Sequence, residues 1–408
     1  MKRVGPIAAM VAALVAACLA ATPACGISVG PLSVFVDTVR PQALHLLEWS
    51  FIALLVVSAL AVWSMDLVPV RARLTLVWLV RASLLVGMSS PLAAWVVMGV
   101  VRLDSSAGAV LLWMCALAFA LAVAAALVDV RLASRRGPIA LFAATGFAIV
   151  VDQLAGGRLA STSPLGYSVL AGARTYGLGN EAAAILFAAS LTVLALLADQ
   201  MQSGSARARF CRSVVPVVGA LVVVVAGAPF LGANVGVAIW ATVGFALFWL
   251  SLAGKQLTVR RAFYIAAIVV LTLVVFAGAD LLGTRPPTHL GALVEAVQHQ
   301  GLGALGQLIS RKAATNVRVL FNTRLTWMLV VTLAFAAFVR WVRPNVWRTT
   351  LAENPAFASA LVAACAAGAV ACVTEDSGIT IPSLMCLAVG LVLAWLLLAH
   401  ADRGGQPR

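Results

Sequence analysis

Long, nearly unbroken apolar runs recur along the chain and set its architecture. A helix needs roughly 20 mostly apolar residues to cross about 30 Å of hydrocarbon. Runs of that kind fall at approximately residues 4–24, 49–68, 74–101, 107–128, 139–154, 181–200, 214–233, 236–254, 262–283, 325–342, 356–374 and 379–399. Barrel strands would alternate polar and apolar residues over about ten positions, and these runs are longer and continuous. Only helices and closed barrels satisfy their backbone groups in lipid. The pattern therefore predicts an all-α, polytopic integral membrane bundle of about twelve transmembrane helices. The 408 residues read as one membrane domain: motif-poor N-terminal helices over 1–135, a motif-bearing core over 136–400, and an outer interfacial helical loop over 284–324.

Composition agrees. The chain is 63% hydrophobic and 10% charged, where a soluble domain gives about a quarter of its residues to charge. Both a water-soluble domain and a disordered chain are thereby excluded. The net charge of +14 is open to three readings: nucleic acid, a membrane surface or topology. With the N-terminus inside, the cytoplasmic segments hold Lys2, Arg3, Arg71, Arg73, Arg131, Arg135, Arg136, Arg207, Arg209, Arg212, Lys255, Arg260, Arg261, Arg340, Arg343, Arg348, Arg403 and Arg408. Only Asp66, Asp129, Asp199, Glu353 and Asp402 accompany them, whereas acids and bases balance on the other side. This is the positive-inside pattern. It predicts a multi-pass protein of the plasma (inner) membrane with both termini cytoplasmic, and a basicity owed to topology rather than to nucleic acid.

Met1, Lys2 and Arg3 followed by an Ala/Val run also fit a secretory signal, and Val15-Ala16-Ala17-Cys18 resembles a lipoprotein cleavage site; a retained helix is the favoured reading. Seven cysteines show no metal-ligand spacing and no paired loop positions, so neither a metal nor a disulfide framework is expected. Gly26-Ile27-Ser28-Val29-Gly30 and Gly301-Leu302-Gly303-Ala304-Leu305-Gly306 match nucleophile and dinucleotide patterns, but neither follows a strand. No cofactor is expected.

Candidate chemistry lies in four outer segments. The first runs from Gly156 through Ser163-Pro164-Leu165-Gly166-Tyr167 to Gly172-Ala173-Arg174-Thr175-Tyr176-Gly177-Leu178-Gly179-Asn180-Glu181. Its glycines permit left-handed backbone, Asn180 is suited to capping the next helix, and Arg174 before a helix N-terminus makes an anion site. Glu181 is either a dipole partner, paired with Arg174, or an acid–base group. The second segment, Gly232-Ala233-Asn234-Val235-Gly236, is a tight hairpin with small residues suited to close helix crossing. In the third, Arg311, Lys312, Asn316, Arg318 and Arg324 break the positive-inside pattern and suit phosphate, which guanidinium binds bidentately. Snorkelling to lipid phosphates is the plainer alternative. The fourth, Glu375-Asp376-Ser377-Gly378, sets two carboxylates at a membrane boundary, where they need partners or a task. Asp152 lies close to the first segment. The expected catalytic set is thus Glu375, Asp376 and Glu181. The expected substrate-binding set is Arg174, Tyr176, Asn180, Asn234, Arg311, Lys312, Asn316, Arg318 and Asp152.

The motifs at 163–167, 172–181, 311–316 (Arg-Lys-Ala-Ala-Thr-Asn) and 375–379 (Glu-Asp-Ser-Gly-Ile) resemble those of a poorly characterised family of polytopic membrane proteins in Gram-positive bacteria, over roughly residues 140 to 400. Leu178 and Ala182 depart from its pattern. Some members join a similar module to an extracytoplasmic domain resembling the alkaline-phosphatase superfamily, which implies envelope or lipid phosphate chemistry. This chain has no room for that domain, so the implication is weaker here. The resemblance implies that the four outer motifs belong together, and it supplies no activity.

Three functions stay open. One is a transporter or flippase for an anionic, phosphate-bearing lipid or envelope precursor, favoured because no nucleophile or complete acid–base set can be named. Another is a membrane-embedded transferase or hydrolase acting on a lipid-linked substrate at the outer leaflet. The third is a non-catalytic scaffold for envelope-assembly proteins. Membrane lipid, a lipid-linked phosphate and such assembly proteins are the expected partners; nucleic acid is not.

Overall fold

The structure is a computed structural model and describes residues 35–102, 104–128, 134–166, 176–201, 203–282 and 303–403. Among these it is helical throughout its regular elements. A π turn, Phe35–Val39, leads into α1 (Arg40–Ser64), followed by α2 (Val70–Val96), α3 (Ala107–Val128), α4 (Arg136–Leu154) and the single-turn α5 (Arg158–Thr162). Next come α6 (Asn180–Gln200), α7 (Gly204–Arg209), which continues through a second π turn into α8 (Val215–Gly227), α9 (Val235–Leu252) and α10 (Val259–Leu281). The remaining helices are α11 (Gly303–Asn322), α12 (Thr326–Val342), α13 (Pro344–Glu353), α14 (Pro355–Thr374) and α15 (Thr380–Arg403).

Ten described helices are long and apolar enough to cross a membrane, or up to eleven if α11 and α12, bent by 68° at residues 323–325, count as one broken span. These correspond to the second through twelfth predicted runs; the first, residues 4–24, lies outside the described residues. The expected interfacial loop, 284–324, lies partly outside the described residues; its described part is α11, which meets α12 at the 68° bend.

A helix apolar on every side belongs in the interior. The most apolar stretch of α15 is buried along its whole length, with α1, α2, α6, α12 and α14 packed around it. By contrast, α10 is only 11% buried and lies at the edge. Helix pairs in an apolar solvent gain little from hydrophobicity and depend on close approach of small side chains. The α9–α14 pair shows this: Ala360, Ala363, Ala367 and Ala371 form a buried stripe on α14, and a methyl on Gly244 of α9 would lie 2.9 Å from the Ala367 methyl.

Arg81, a charge within a span, is buried, with its guanidinium 4.7 Å above the Trp395 ring and Nη2 donating to the Trp395 carbonyl at 3.4 Å. It points at the central helix, and the indole and carbonyl there give the cation partners within the bundle.

Alternate helix ends collect at two opposite ends of the bundle. At one, Arg343 pairs with Asp66, His400 Nε2 meets Glu353 Oε2 at 2.6 Å, and Asp199 accepts from the backbone N–H groups of Ala356 and Phe357 at 2.8 and 2.9 Å. The other end holds Arg40, Ser163, Asn180, Asn234, Lys312 and Asp376, and is called the site end below. Asp199 caps α14 from a different helix, satisfying two N–H groups that the first helical turn leaves open. Replacing it by Ala should lower stability by about 1–2 kcal/mol, and by Asn less. Thermal unfolding in detergent checks this; an unchanged midpoint for Asp199→Ala would show the cap to be idle.

Candidate functional site

Three turns that are remote in sequence meet at the site end. In the first, Gly177 takes φ +105°, which a β-carbon disfavours, and a β-carbon there would also lie 2.4 Å from the Gly232 carbonyl. That close approach lets Leu178 N–H donate to Gly232 O at 2.6 Å. In the second turn, the N–H groups of Gly232 and Asn234 return to Val225 O and Ala226 O at 2.9 and 3.0 Å, satisfying the carbonyls that end α8. The third turn leaves α14, with Glu375 N–H on Ala371 O at 2.9 Å and Thr380 N–H on Ser377 O at 2.9 Å.

Side chains then tie the turns together. Asn234 is buried, and its Nδ2 donates to Leu178 O at 3.2 Å and to Asn180 Oδ1 at 2.7 Å. Asn180 Nδ2 donates onward to Ser377 Oγ at 2.8 Å. An amide carries both donors and an acceptor, so two asparagines and a serine form a directed chain across three helix ends.

Beside this chain lies a buried carboxylate. Glu375 is 7% exposed, and its Oε1 accepts from Trp240 Nε1 at 3.1 Å. The absence of a side chain at Gly236 makes the space: a β-carbon there would fall 1.6 Å from Glu375 Oε1. A charge taken out of water needs such a partner.

From above, α11 closes the end of α14. Lys312 Nζ donates to Thr374 O at 2.7 Å and pairs with Asp376 Oδ1 at 3.0 Å, while Asn316 Nδ2 donates to Cys372 O at 2.8 Å. Residues 312 and 316 stand one turn apart on a helix, and both reach carbonyls that α14 leaves open. The Asp376 side chain is 58% exposed, so its ion pair adds little stability. Asn316 Oδ1 is buried and, among the described residues, meets no hydrogen-bond donor.

The expected residues thus separate. Asn180, Asn234, Glu375, Asp376, Lys312 and Asn316 are brought together. Asn180 was expected to cap α6; the helix begins at Asn180 with Gly179 in the cap position and no side-chain cap bond. Its amide is drawn into the inter-turn chain because Asn234 and Ser377 offer partners across the gap.

Glu181 stands apart from that chain, its Oε1 3.0 Å from Arg40 Nη2, whose Nε also donates to Pro164 O at 3.2 Å. Asp152 is fully buried, and its two oxygens accept from Leu159 and Ala160 N–H at 2.9 Å each. It holds α5 in place. Tyr176 is half-buried at the start of the first turn, and Arg318 is exposed on α11. Arg174 and the Arg311 side chain lie outside what is described. Among the described residues no three His, Cys, Asp or Glu side chains gather closely enough to hold a metal ion.

Sequence reasoning missed Trp240 and Arg40. A tryptophan inside an apolar run carries an N–H that needs a partner, which is a usable signal for Trp240. Arg40 breaks the positive-inside pattern just as 311–324 does.

The Gly236–Glu375 fit yields a coupled prediction. Gly236→Ala should destabilise by about 1–3 kcal/mol, the usual penalty of overpacking. Glu375→Ala introduced with it should make the pair less destabilised than the sum of the two single changes. Strict additivity in a thermal-unfolding cycle would mean that the two residues do not touch. No family model, curated protein or solved structure matches the chain.

Proposed function

We propose that the protein moves an anionic, phosphate-bearing lipid or envelope precursor across the plasma membrane, with the site end outward and both termini cytoplasmic. The observation that carries this reading is the convergence of Asn180, Asn234, Glu375 and Ser377 from three turns into one polar cluster. A cluster of that kind is expensive in an apolar bundle, and polar groups held there are characteristic of substrate or ion paths.

Orientation rests on charge. The opposite end carries Arg71, Arg135, Arg136, Arg207, Arg209, Arg212, Lys255, Arg260 and Arg261 in its connecting segments and the helix ends beside them, as cytoplasmic ends do. Attraction for an anion is supported on α11 and just beyond it: among the described residues the guanidiniums of Arg318 and Arg324 have no protein partner. The open acceptor on Asn316 offers a place for a substrate hydroxyl. A flippase is favoured over a transferase because the buried carboxylate of the cluster is engaged by the Trp240 indole N–H and the Ser377 hydroxyl by the Asn180 amide.

Reconstitution into liposomes tests this directly. A fluorescent phospholipid phosphate should change leaflet without covalent change, and Asn234→Ala should slow that movement about tenfold, the scale expected when a buried hydrogen bond is lost. A chemically altered lipid would replace transport by catalysis. No movement and no new product with an active-fold control would remove both.

A further inference from the structure

The opposite end carries a pocket that the proposed transport site does not use. It has a volume of about 400 Å³ and is lined by Ala337, Arg340, Trp341, Pro344, Trp347 and Arg348. Volumes of this order, about 300–1,000 Å³, are typical of small-ligand sites.

Its construction follows from helix spacing. Positions 337, 340 and 341 share one face at the end of α12, and 344, 347 and 348 share one face of α13. The pocket is the crook where the two faces meet. Arg343 pins the crook to the end of α1 by pairing with Asp66 and donating to Trp63 O at 2.9 Å. Trp347 is half-buried against the core, whereas Trp341 is 81% exposed.

Two observations specify an occupant. Among the described residues neither Arg340 nor Arg348 has an ion-pair or hydrogen-bond partner, so two guanidiniums border the pocket with their donors open, the arrangement that matches a phosphodiester. Above them, Val330, Leu333 and Ala337 are exposed at helical spacing along α12 and lead to the pocket. An apolar stripe ending in paired guanidiniums and indoles has the polarity of one phospholipid: acyl chain on the stripe, head group in the crook. Tryptophan favours that boundary for the same reason.

We infer that the α12–α13 crook is a binding site for an anionic phospholipid of the adjoining leaflet. A soluble phosphate would use the guanidiniums but gain nothing from the stripe.

Native mass spectrometry of the detergent-purified protein, with dioleoyl phosphatidylglycerol, dioleoyl phosphatidylcholine or glycerol 3-phosphate added, tests this. The wild type should retain phosphatidylglycerol in preference to phosphatidylcholine. Arg340→Gln/Arg348→Gln should reduce that preference about 25-fold, since each basic group near a lipid surface contributes roughly fivefold. Leu333→Gln should weaken retention of both lipids. Arg260→Gln/Arg261→Gln, the same charge change elsewhere on that end, should leave the preference intact. The inference is overturned if the two double variants lose it equally, if neither does, or if glycerol 3-phosphate binds as well as the lipid. It stands or falls independently of transport.

Discussion

A helix that ends inside an apolar phase must find partners for its last carbonyls and first N–H groups, because no water is there to take them. In this protein one side chain joins two such ends: the Asn234 amide reaches the Leu178 carbonyl and the Asn180 amide together. With Leu178 N–H on the Gly232 carbonyl, it locks the entry to α6 against the hairpin between α8 and α9. Asn180 then extends the lock to Ser377 and the exit from α14. The seat of Glu375 beside Gly236 and Trp240 exists only while these ends stay together.

The two ends of the bundle solve the same problem by different chemistry. Away from the site, carboxylates and guanidiniums do it: Asp199 caps α14, Arg343 holds the α1 exit and His400 meets Glu353. At the site end, neutral amides, a hydroxyl and backbone join the three turns, beside the buried Glu375 and the Arg40–Glu181 and Lys312–Asp376 pairs. Neutral partners can exchange one hydrogen bond for another at small cost, whereas breaking a buried ion pair leaves a charge stranded. Between the ends, the wholly buried α15 gives both a rigid column.

The spans were legible in sequence because their signal is local. Eleven continuous apolar runs overlap the described helices, and the glycines at 177, 232 and 378 fall in turns between them. Partner choice was not legible. Asn180 has the composition of a helix cap, and its use as a bridge depends on Asn234 and Ser377, which stand 54 and 197 positions away. Glu181 meets Arg40 across 141 positions, a pairing that nothing in the sequence around either residue announces. Asp152 looked like a site residue because it adjoins the motif loop; only the turn of α5 shows that both its oxygens are engaged. Lys312 and Asn316 were read as binders of anions, and their geometry shows them first as donors to the end of α14.

The central claim is that the turns before α6 and after α14 touch. Cysteines placed at Asn180 and Ser377 in an otherwise cysteine-free chain test it most directly, since these side chains lie within hydrogen-bond distance of one another, at 2.8 Å. Mild oxidation in membranes should join them rapidly, seen as protection of both thiols from maleimide-polyethylene glycol until reductant is added. Two thiols that stay freely reactive after oxidation would contradict the account.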